Sequence, residues 1–557
     1  MREIQNSSLF LFSPRPRVPA SPRPRVPASP RPRVLPSPPS ILTHPHLAMT
    51  SLKPQFPTTF RWLPIDRIAL SVILGLTTVI LVLVLGGDRT VPRIREFTWE
   101  NRQVGSTDRA FLFTFNRPMD RASVEENLQI EPPLPGKISW AGRRMAYTLD
   151  RPAPYGIDYT VKLSGARDTF AKANDTDTTL EPFEGKFRSR DLAFVYLGVE
   201  ASDAGRLFLY NITREEQTVL TPPDLRVMDY EIYPQSDRIL FSAIDSRSAT
   251  ERATDVQLYT VTTGIHPHVP GAKEPRPERA GQIERILDNQ DYQNLQFDLS
   301  EDGETIVVQR ANRKNPGAKF GLWAIRDGQE AKPLENAPGG EFLIAPSGRE
   351  IAIAQGQGIA LLPLDDEAEN ASEPLEFFAE YGLVMDFKLD GSAAAMVMYN
   401  PDYTRSLYLV PNQGEHQQII KTNGSILDAK FDPTGQFLYC LLTDLEEGEE
   451  YREIPYIAQI DLESQQFKRL LTFEDPRPDI HIDVAGDGLS LMFDRIINAD
   501  FSPGSGTDNA LRTNSGLEIA SSDIWLLFPL VSDGDSPAEG LDAEQLPING
   551  FNPRWLP

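Results

Sequence analysis

One pattern of apolar and polar positions recurs beyond residue 190: an apolar stretch, a tight turn containing Asp, Pro or Gly, and a second run rich in β-forming residues. Its six copies are YEIYPQSDRILFSAI, LQFDLSEDGETIVVQR, FLIAPSGREIAIA, MDFKLDGSAAAMVM, AKFDPTGQFLYCLL and IDVAGDGLSLMFDRI. Five copies carry a turn glycine, spaced by 45, 43, 44 and 53 residues: Gly303, Gly348, Gly391, Gly435 and Gly488. This period is typical of four-stranded propeller blades, and such a turn favours glycine because one residue takes a positive φ.

Two blades carry insertions. The first turn, near Asp237, precedes Gly303 by 66 residues, so its blade must accommodate the segment GIHPHVPGAKEPRPERAG at 264–281. The last blade contains a polar segment rich in Gly, Ser and Asn at 498–523, a length typical of functional or mobile loops. The sequence assigns a role to neither insertion.

The C-terminal sequence NPRWLP contains only the first half of the repeated unit, with Trp555 aligned to Phe431. The complementary half stands in SRDLAFVYLGV, where a strand beginning at Leu192 lacks its preceding partner. We therefore expect the terminal strand to pair with this early strand, which closes the ring and removes both sheet edges. Six complete turns plus the shared blade predict a seven-bladed β-propeller. We assign residues 190–557 to this domain, a TolB-like β-propeller for the reason that follows.

The assignment to TolB-like repeats comes from a resemblance of the turns. They read PQSD, SEDG, APSG, KLDG, DPTG and AGDG, which resembles the W-S-P-D-G-x-x-I-A-F consensus of the TolB-like (PD40/WD40-like) propeller. The resemblance is degenerate. It implies the fold, and it leaves function open because such repeats occur both in protein-docking modules and beside peptidases.

Short alternating strands separated by turn signals about every ten residues fill residues 96–189, a pattern typical of an antiparallel sandwich. The segments FTFNRPMDRASVEENLQIEP and GKISWAGRRMAYTLDRPAPYGIDYTVKLSGARD resemble the bacterial Ig-like domain of SbsA-type surface-layer proteins. The resemblance implies an all-β fold with a spacer or interaction role and carries over no catalytic residue. Trp140 and Tyr159 are expected to be core aromatics.

The apolar run IALSVILGLTTVILVLVLGG at 68–87 contains no charged residue. As a helix it would extend about 30 Å, the thickness of a bilayer core, so it predicts a single-pass transmembrane helix. The alternative, a cleaved signal peptide, requires a shorter apolar run and a small-residue cleavage site. Positive residues on the two sides nearly balance. We expect the N-terminus inside the bacterial inner (plasma) membrane and the large C-terminal region in the periplasm or another extracytoplasmic space.

Residues 1–67 form a Pro/Arg-rich tail in which the octad SPRPRVPA occurs twice in succession. Closely spaced prolines exclude helix and sheet, which predicts an extended, disordered segment. One interpretation is a basic tail that contacts anionic lipid or an SH3-like partner. The other is that these octads come from a tandem DNA repeat that has been read as protein sequence. In that case translation starts at Met49, and residues 1–48 are not part of the protein.

Charge and cysteine content narrow the classes of partner. The first 67 residues carry a net charge of +8 and the whole chain −24, so the remainder carries −32. An acidic body argues against nucleic-acid binding. The single cysteine, Cys440, excludes an internal disulfide, and its place in the apolar run QFLYCLLT predicts a buried thiol.

Sequence motifs of known chemistry are absent. The chain contains no G-x-S-x-G, C-x-x-C, H-E-x-x-H, Walker or dinucleotide motif. The histidine pairs His44/His46 and His266/His268 lie in proline-bearing loops and are interpreted as loop residues. Two acidic segments, 443–453 and 172–181, lack the ligand order of a calcium loop. We therefore predict no catalytic, cofactor-binding or metal-binding residue, and no cofactor.

These features together predict a membrane-anchored, non-enzymatic protein-binding or scaffolding protein of the bacterial cell envelope. The propeller would serve as a docking platform for an unidentified protein partner. The alternative is a receptor for a small ligand, such as a glycan or peptide, at the mouth of the propeller channel. A hydrolase or lyase with a propeller active site is a third possibility, for which the sequence offers no residues.

Overall fold

The structure is a computed structural model that forms two compact units, Met1–Gly87 and Asp88–Pro557. It describes residues 64–86, 91–106, 108–169, 179–200, 202–247, 255–265, 278–315, 320–326, 328–334, 339–364, 374–446, 451–474, 479–498, 511–513, 516–529 and 543–557.

The described part of the first unit is the helix α1 (Pro64–Gly86). It lies where the sequence predicts a helix at 68–87. The side chains of residues 67–81 are described, and those of Ser71, Thr77 and Thr78 donate hydrogen bonds to backbone carbonyls four residues earlier. Over the described residues of the whole chain, no helix combines the length and the apolar character that a membrane crossing requires.

The second unit begins with a sandwich of two four-stranded sheets, in the orders β1-β3-β6-β5 and β2-β8-β7-β4. Its elements are β1 (Ile94–Phe97), β2 (Gln103–Val104), β3 (Ala110–Phe115), α2 (Arg121–Asn127), β4 (Leu128–Glu131), β5 (Gly136–Ala141), β6 (Arg144–Leu149), β7 (Asp158–Leu163) and β8 (Phe183–Ser189). Tyr159 lies in the aromatic core between the sheets, as predicted, whereas Trp140 is partly buried and packs against the outside of that core.

The remaining strands form five four-stranded sheets and one seven-stranded sheet. They are β9 (Ala193–Gly198), β10 (Leu207–Asn211), β11 (Glu216–Val219), β12 (Leu225–Ile232), β13 (Arg238–Asp245), β14 (Gln257–Thr262), β15 (Ile283–Leu287), β16 (Tyr292–Leu299), β17 (Thr305–Asn312), β18 (Gly321–Arg326), β19 (Lys332–Pro333), β20 (Phe342–Ile344), β21 (Glu350–Gln355), β22 (Gly358–Pro363), β23 (Glu376–Phe378), β24 (Leu383–Phe387), β25 (Ala393–Tyr399), β26 (Arg405–Pro411), β27 (Gln417–Thr422), β28 (Ile426–Phe431), β29 (Phe437–Leu445), β30 (Glu453–Asp461), β31 (Phe467–Thr472), β32 (Ile482–Val484), β33 (Leu491–Asn498), β34 (Ile519–Leu527) and β35 (Glu544–Trp555).

The four-stranded sheets are successive meanders, β12 to β15, β16 to β19, β20 to β23, β24 to β27 and β28 to β31. The seven-stranded sheet has the order β11-β10-β9-β35-β34-β33-β32. The first strand of each meander contacts the first strand of the next, from β12 through β16, β20, β24 and β28 to β32, which in turn contacts β35. This is the arrangement of a β-propeller, with the first strands around a central channel.

The long strand β35 closes the ring. Its first half pairs with β34, and its second half pairs with β9, with Phe551 opposite Leu197 and Trp555 opposite Phe194. Phe551 and Trp555 are 8% and 5% exposed. The predicted pairing of the terminal strand with the strand beginning after Leu192 is therefore confirmed.

The turns between first and second strands also follow the prediction. All five turn glycines have φ between +67° and +73°: Gly303, Gly348, Gly391, Gly435 and Gly488. In the first blade Ser236 occupies the same place with φ of +59°. Cys440 is fully buried, and burial raises the pKa of its thiol, which confirms its interpretation as a core residue.

Several segments singled out by the sequence fall outside the described residues, in whole or in part. These are residues 1–63 with His44 and His46, most of 172–181, residues 266–277 with His266 and His268, residues 447–450 of the acidic segment, and residues 499–510 and 514–515 of the second insertion.

The propeller has two ends, because antiparallel neighbours place successive connections at opposite edges of a sheet. We call the end that carries the six turns at Ser236 and the five glycines the turn face. The end that carries the connections between second and third strands is the hairpin face.

The sandwich packs on the turn face. Arg109 Nη2 donates a 2.7 Å hydrogen bond to the carbonyl oxygen of Pro433, and a Cβ atom added to Gly486 would lie 2.6 Å from the hydroxyl oxygen of Tyr155. Gly486 therefore leaves room for the close approach of the two domains. The sandwich and the propeller belong to one compact unit.

Candidate functional site

The repeat places one side chain per first strand at the same height in the central channel. This position lies five residues before the positive-φ turn residue in six blades, and Arg554 takes it in the terminal strand by alignment with Lys430. All seven side chains line one cavity of 470 Å³: Glu231, Asp298, Leu343, Asp386, Lys430, Asp483 and Arg554. The sandwich residues Ser106 and Arg109 also line it, so the cavity opens beside the sandwich at the turn face.

Three of these carboxylates connect neighbouring blades in the same way, by accepting a hydrogen bond from a backbone N–H of the next first strand. Asp298 accepts a hydrogen bond from the backbone N–H of Ile344 (2.6 Å). Asp386 likewise accepts from Phe431 (2.8 Å), and Asp483 accepts from Trp555 (2.6 Å). Each acceptor therefore ties its first strand to the next one around the ring.

Burial perturbs the ionisation of these carboxyl groups. Removal from water raises the pKa of Asp298 to about 7, with a further contribution from the negative charge of Glu231. Burial likewise raises the pKa of Asp386 to about 6 and that of Asp483 to about 6. These three carboxyl groups of the inner ring, the ring formed by the seven channel side chains, therefore change their charge between pH 5 and 8.

Replacement of Asp298 by Asn is expected to flatten the pH dependence of stability. The folded-state pKa lies above the usual 3.8, so the stability contributed by this group is present below about pH 3.8 and is lost as the pH rises through about 7. Between pH 4 and 8 the free energy of unfolding of the wild type should fall by about 1 kcal/mol or more relative to that of the Asp298→Asn variant. Denaturant titrations of both proteins at several pH values measure this, and a difference that does not vary with pH contradicts it.

An ion-pair cluster joins the terminal strand β35 to β12, at what we call the closing seam. Arg554 Nη1 lies 2.5 Å from Glu231 Oε1, and Arg554 Nη2 lies 3.3 Å from Asp229 Oδ1. Burial alone would lower the pKa of Arg554, but the two carboxylates raise it overall. The buried hydroxyl of Tyr230 adds contacts to the backbone oxygens of Val195 (2.8 Å) and Asn552 (2.5 Å).

A histidine and a buried carboxylate form a second polar cluster. Asp494 is fully buried and accepts hydrogen bonds from the backbone N–H of His481 (2.8 Å) and of Asn552 (2.7 Å). It also lies 2.8 Å from His481 Nδ1. Burial alone would lower the pKa of His481, but Asp494 outweighs it and the pKa is raised. In the described residues no Ser, Thr or Cys side chain hydrogen-bonds to His481.

The channel residues were missed by sequence reasoning, which predicted no site residue. Six of the seven are charged and the seventh is Leu343, and only the ring brings them together. The available signal was the repeat itself, since the position five residues before the turn is charged in five of the six copies that have a turn, and the aligned residue of the terminal strand is Arg554. For the described part of the chain, no group of three or more His, Cys, Asp or Glu side chains is placed to hold a metal ion.

Comparison with known proteins adds the following similarities. No model of a known protein family matches the chain, and no curated protein matches its sequence. TolB from Acinetobacter baumannii superimposes with a TM-score of 0.36 at 12% identity, over 58% of this chain and 79% of that chain. An oligogalacturonate lyase in complex with manganese gives a TM-score of 0.39 at 13% identity, over 52% and 79%. Oligogalacturonate lyase from Vibrio parahaemolyticus gives 0.37 at 11%, over 55% and 88%. Similarities at this level carry no conclusion about function, and the propeller architecture rests on the sheet order.

Proposed function

We propose that this protein is a membrane-anchored, non-enzymatic protein-binding or scaffolding protein of the bacterial cell envelope. In this proposal the apolar segment at 68–87 holds the chain in the inner membrane, with the acidic body on the extracytoplasmic side. The Ig-like sandwich precedes a seven-bladed propeller in which β35 is shared by two blades. The hairpin face docks a protein partner.

The observation that supports this proposal is the unequal covering of the two propeller faces. The turn face is occupied in part by the sandwich through Arg109 and Tyr155. The hairpin face carries exposed tyrosines on two successive blades: Tyr399 at the end of β25, Tyr403 between β25 and β26, and Tyr451 between β29 and β30. Their exposed fractions are 59%, 92% and 73%.

These tyrosines belong to one region of the hairpin face. Arg405 is paired with Tyr399 across the β25–β26 hairpin, and it interacts electrostatically with Tyr451 of the next blade. Tyr403 is held at the hairpin tip with φ of +64°. Tyrosine and arginine are enriched at the centres of protein interfaces, because they supply large contact areas with few rotatable bonds. The tyrosine patch, defined by these four residues, is therefore the proposed docking site.

Replacement of Tyr403 and Tyr451 together by Ser is expected to abolish recovery of the protein partner. Full-length protein would be isolated by affinity from detergent-solubilised membranes, and co-purifying proteins would be quantified against the wild type. Loss of two exposed aromatic anchors should weaken the complex by at least tenfold, since hot-spot truncations cost about 2 kcal/mol or more. Phe467→Ser, which removes a 44% exposed aromatic from the turn-face end of β31, is the matched control. A stoichiometric partner that remains bound to the double variant contradicts the proposed site.

A second candidate function is a receptor for a small ligand, such as a glycan or peptide, at the channel mouth. The observation that favours it is the 470 Å³ cavity, a volume within the range of small-molecule sites. Its polar side chains converge from different blades on one space, as they do in binding pockets.

A further inference from the structure

Lys430 differs from the other basic side chains of the channel cavity in lacking a bonded partner. Arg554 binds two carboxylates, Arg109 donates to a turn carbonyl, and His481 binds a buried carboxylate. Among the described residues, Lys430 has neither a hydrogen-bond acceptor nor a carboxylate oxygen within the 4.0 Å of an ion pair. Its three N–H donors are therefore available to a ligand in the cavity.

The ammonium of Lys430 nevertheless stays charged. The carboxylates of Asp428 and then Asp386 raise its pKa, although burial opposes them. These carboxylates act from beyond ion-pair distance, so they stabilise the charge without occupying the donors. Lys430 is thus a fixed positive group on the wall of the cavity.

The carboxylates of Asp298 in β16 and of Glu301 in the turn after β16 form a negative region of the same cavity. Asp298 and Glu301 both line it, and no basic side chain of the described chain lies within ion-pair distance of either. Although Glu301 is exposed, partial removal of its carboxylate from water raises its pKa, and the negative charge of Glu231 raises it further. A positive group placed here would relieve the repulsion among these carboxylates.

The two charged regions lie on opposite walls. Lys430 belongs to β28 and Asp298 to β16, which are separated by β20 and β24 in one direction and by β32, β35 and β12 in the other. Two strands separate them on one side: β20 places the apolar Leu343 at the ring position, and β24 places Asp386 there.

We propose that the channel cavity binds a small zwitterion of amino-acid or dipeptide size, whose anionic group contacts Lys430 and whose ammonium group contacts Asp298 and Glu301. The apolar part of the ligand would lie along Leu343. This assignment rests on the second candidate function, a small-ligand receptor, and names its ligand class. Docking at the tyrosine patch is independent of it, because that patch is on the hairpin face.

The test is calorimetric titration of the full-length protein in detergent micelles with matched probes. The zwitterions are 4-aminobutyrate and 6-aminohexanoate, the singly charged controls are hexylamine and hexanoate, and the neutral controls are glucose and N-acetylglucosamine. At least one zwitterion should bind. Hexylamine and hexanoate should each bind at least tenfold more weakly than that zwitterion. Lys430→Gln and Glu301→Gln should each weaken zwitterion binding at least tenfold. Lys430→Arg, which keeps the charge, should retain most of the affinity.

Lys332→Gln is the matched control, because Lys332 is an exposed lysine outside the cavity. Its zwitterion affinity should equal that of the wild type. Hexylamine binding as tightly as the zwitterions, or unchanged affinity in the Lys430→Gln protein, overturns the assignment of ligand class. Binding of a neutral sugar without any zwitterion overturns the ligand class and leaves the receptor function standing. If no probe binds, the zwitterion assignment is overturned. The receptor function then has support from neither the zwitterions nor the neutral sugars.

Discussion

Removal of residues 549–557 is expected to convert the protein into an aggregating, protease-sensitive form. The deletion takes away the half of β35 that pairs with β9, together with three apolar side chains that are at most 8% exposed: Phe551, Trp555 and Leu556. Burial of each of the two aromatic side chains is worth about 2 to 3 kcal/mol. The seam also loses the ion pairs of Arg554.

The deletion would leave β9 with an unpaired edge, because the residues that pair with it are removed. Exposed edges of this kind template association with other chains. Size-exclusion chromatography and limited proteolysis of the truncated protein measure both effects. The matched control is replacement of Leu375 and Phe377 by Ala, two side chains that are at least 50% exposed on an outer strand. A truncated protein that stays monomeric and resists protease contradicts ring closure by this strand.

Replacement of Asp494 by Ala should cause the largest loss of stability among single substitutions at the polar clusters. Its carboxylate is fully buried and receives two backbone N–H donors and the ring of His481. Removal leaves these donors unsatisfied in the core and a histidine without its counter-charge, at a cost of about 3 to 5 kcal/mol. The denaturant midpoint of unfolding should fall accordingly.

The matched control for this substitution is Asp444→Ala. Asp444 forms a 2.7 Å ion pair with Arg469, but both side chains are more than 40% exposed. An exposed pair contributes about 0 to 1 kcal/mol, so this variant should unfold close to the wild type. Equal midpoints for the two variants would show that the hydrogen bonds of Asp494 to His481 and Asn552 do not contribute to stability as predicted.

Ring closure was open to prediction because each half of the shared blade carries a recognisable part of the repeat. The half-unit around Trp555 and the unpartnered strand after Leu192 are complementary, and both halves carry the apolar pattern of the blades. Strand pairing follows the pattern of buried positions, so the repeat determines which strands meet.

The channel cavity and the domain contact were not open to prediction in the same way. Lys430 and Asp298 are 132 residues apart, and neither has a neighbour in sequence that indicates a site. The close approach at Gly486 depends on the shape of Tyr155 in another domain, and no periodicity encodes such a contact. Position within the repeat identifies the inner ring only after the blades have been superimposed.

Hydrogen exchange of the C-terminal peptide tests the closed ring most directly. The amide of Asn552 donates to Asp494, that of Trp555 donates to Asp483, and that of Leu556 donates to the carbonyl of Ala193. These three amides should exchange as slowly as those of Phe194–Leu197 in the partner strand β9. Exchange of the C-terminal amides within seconds, while β9 remains protected, would contradict the closed ring and the channel site built upon it.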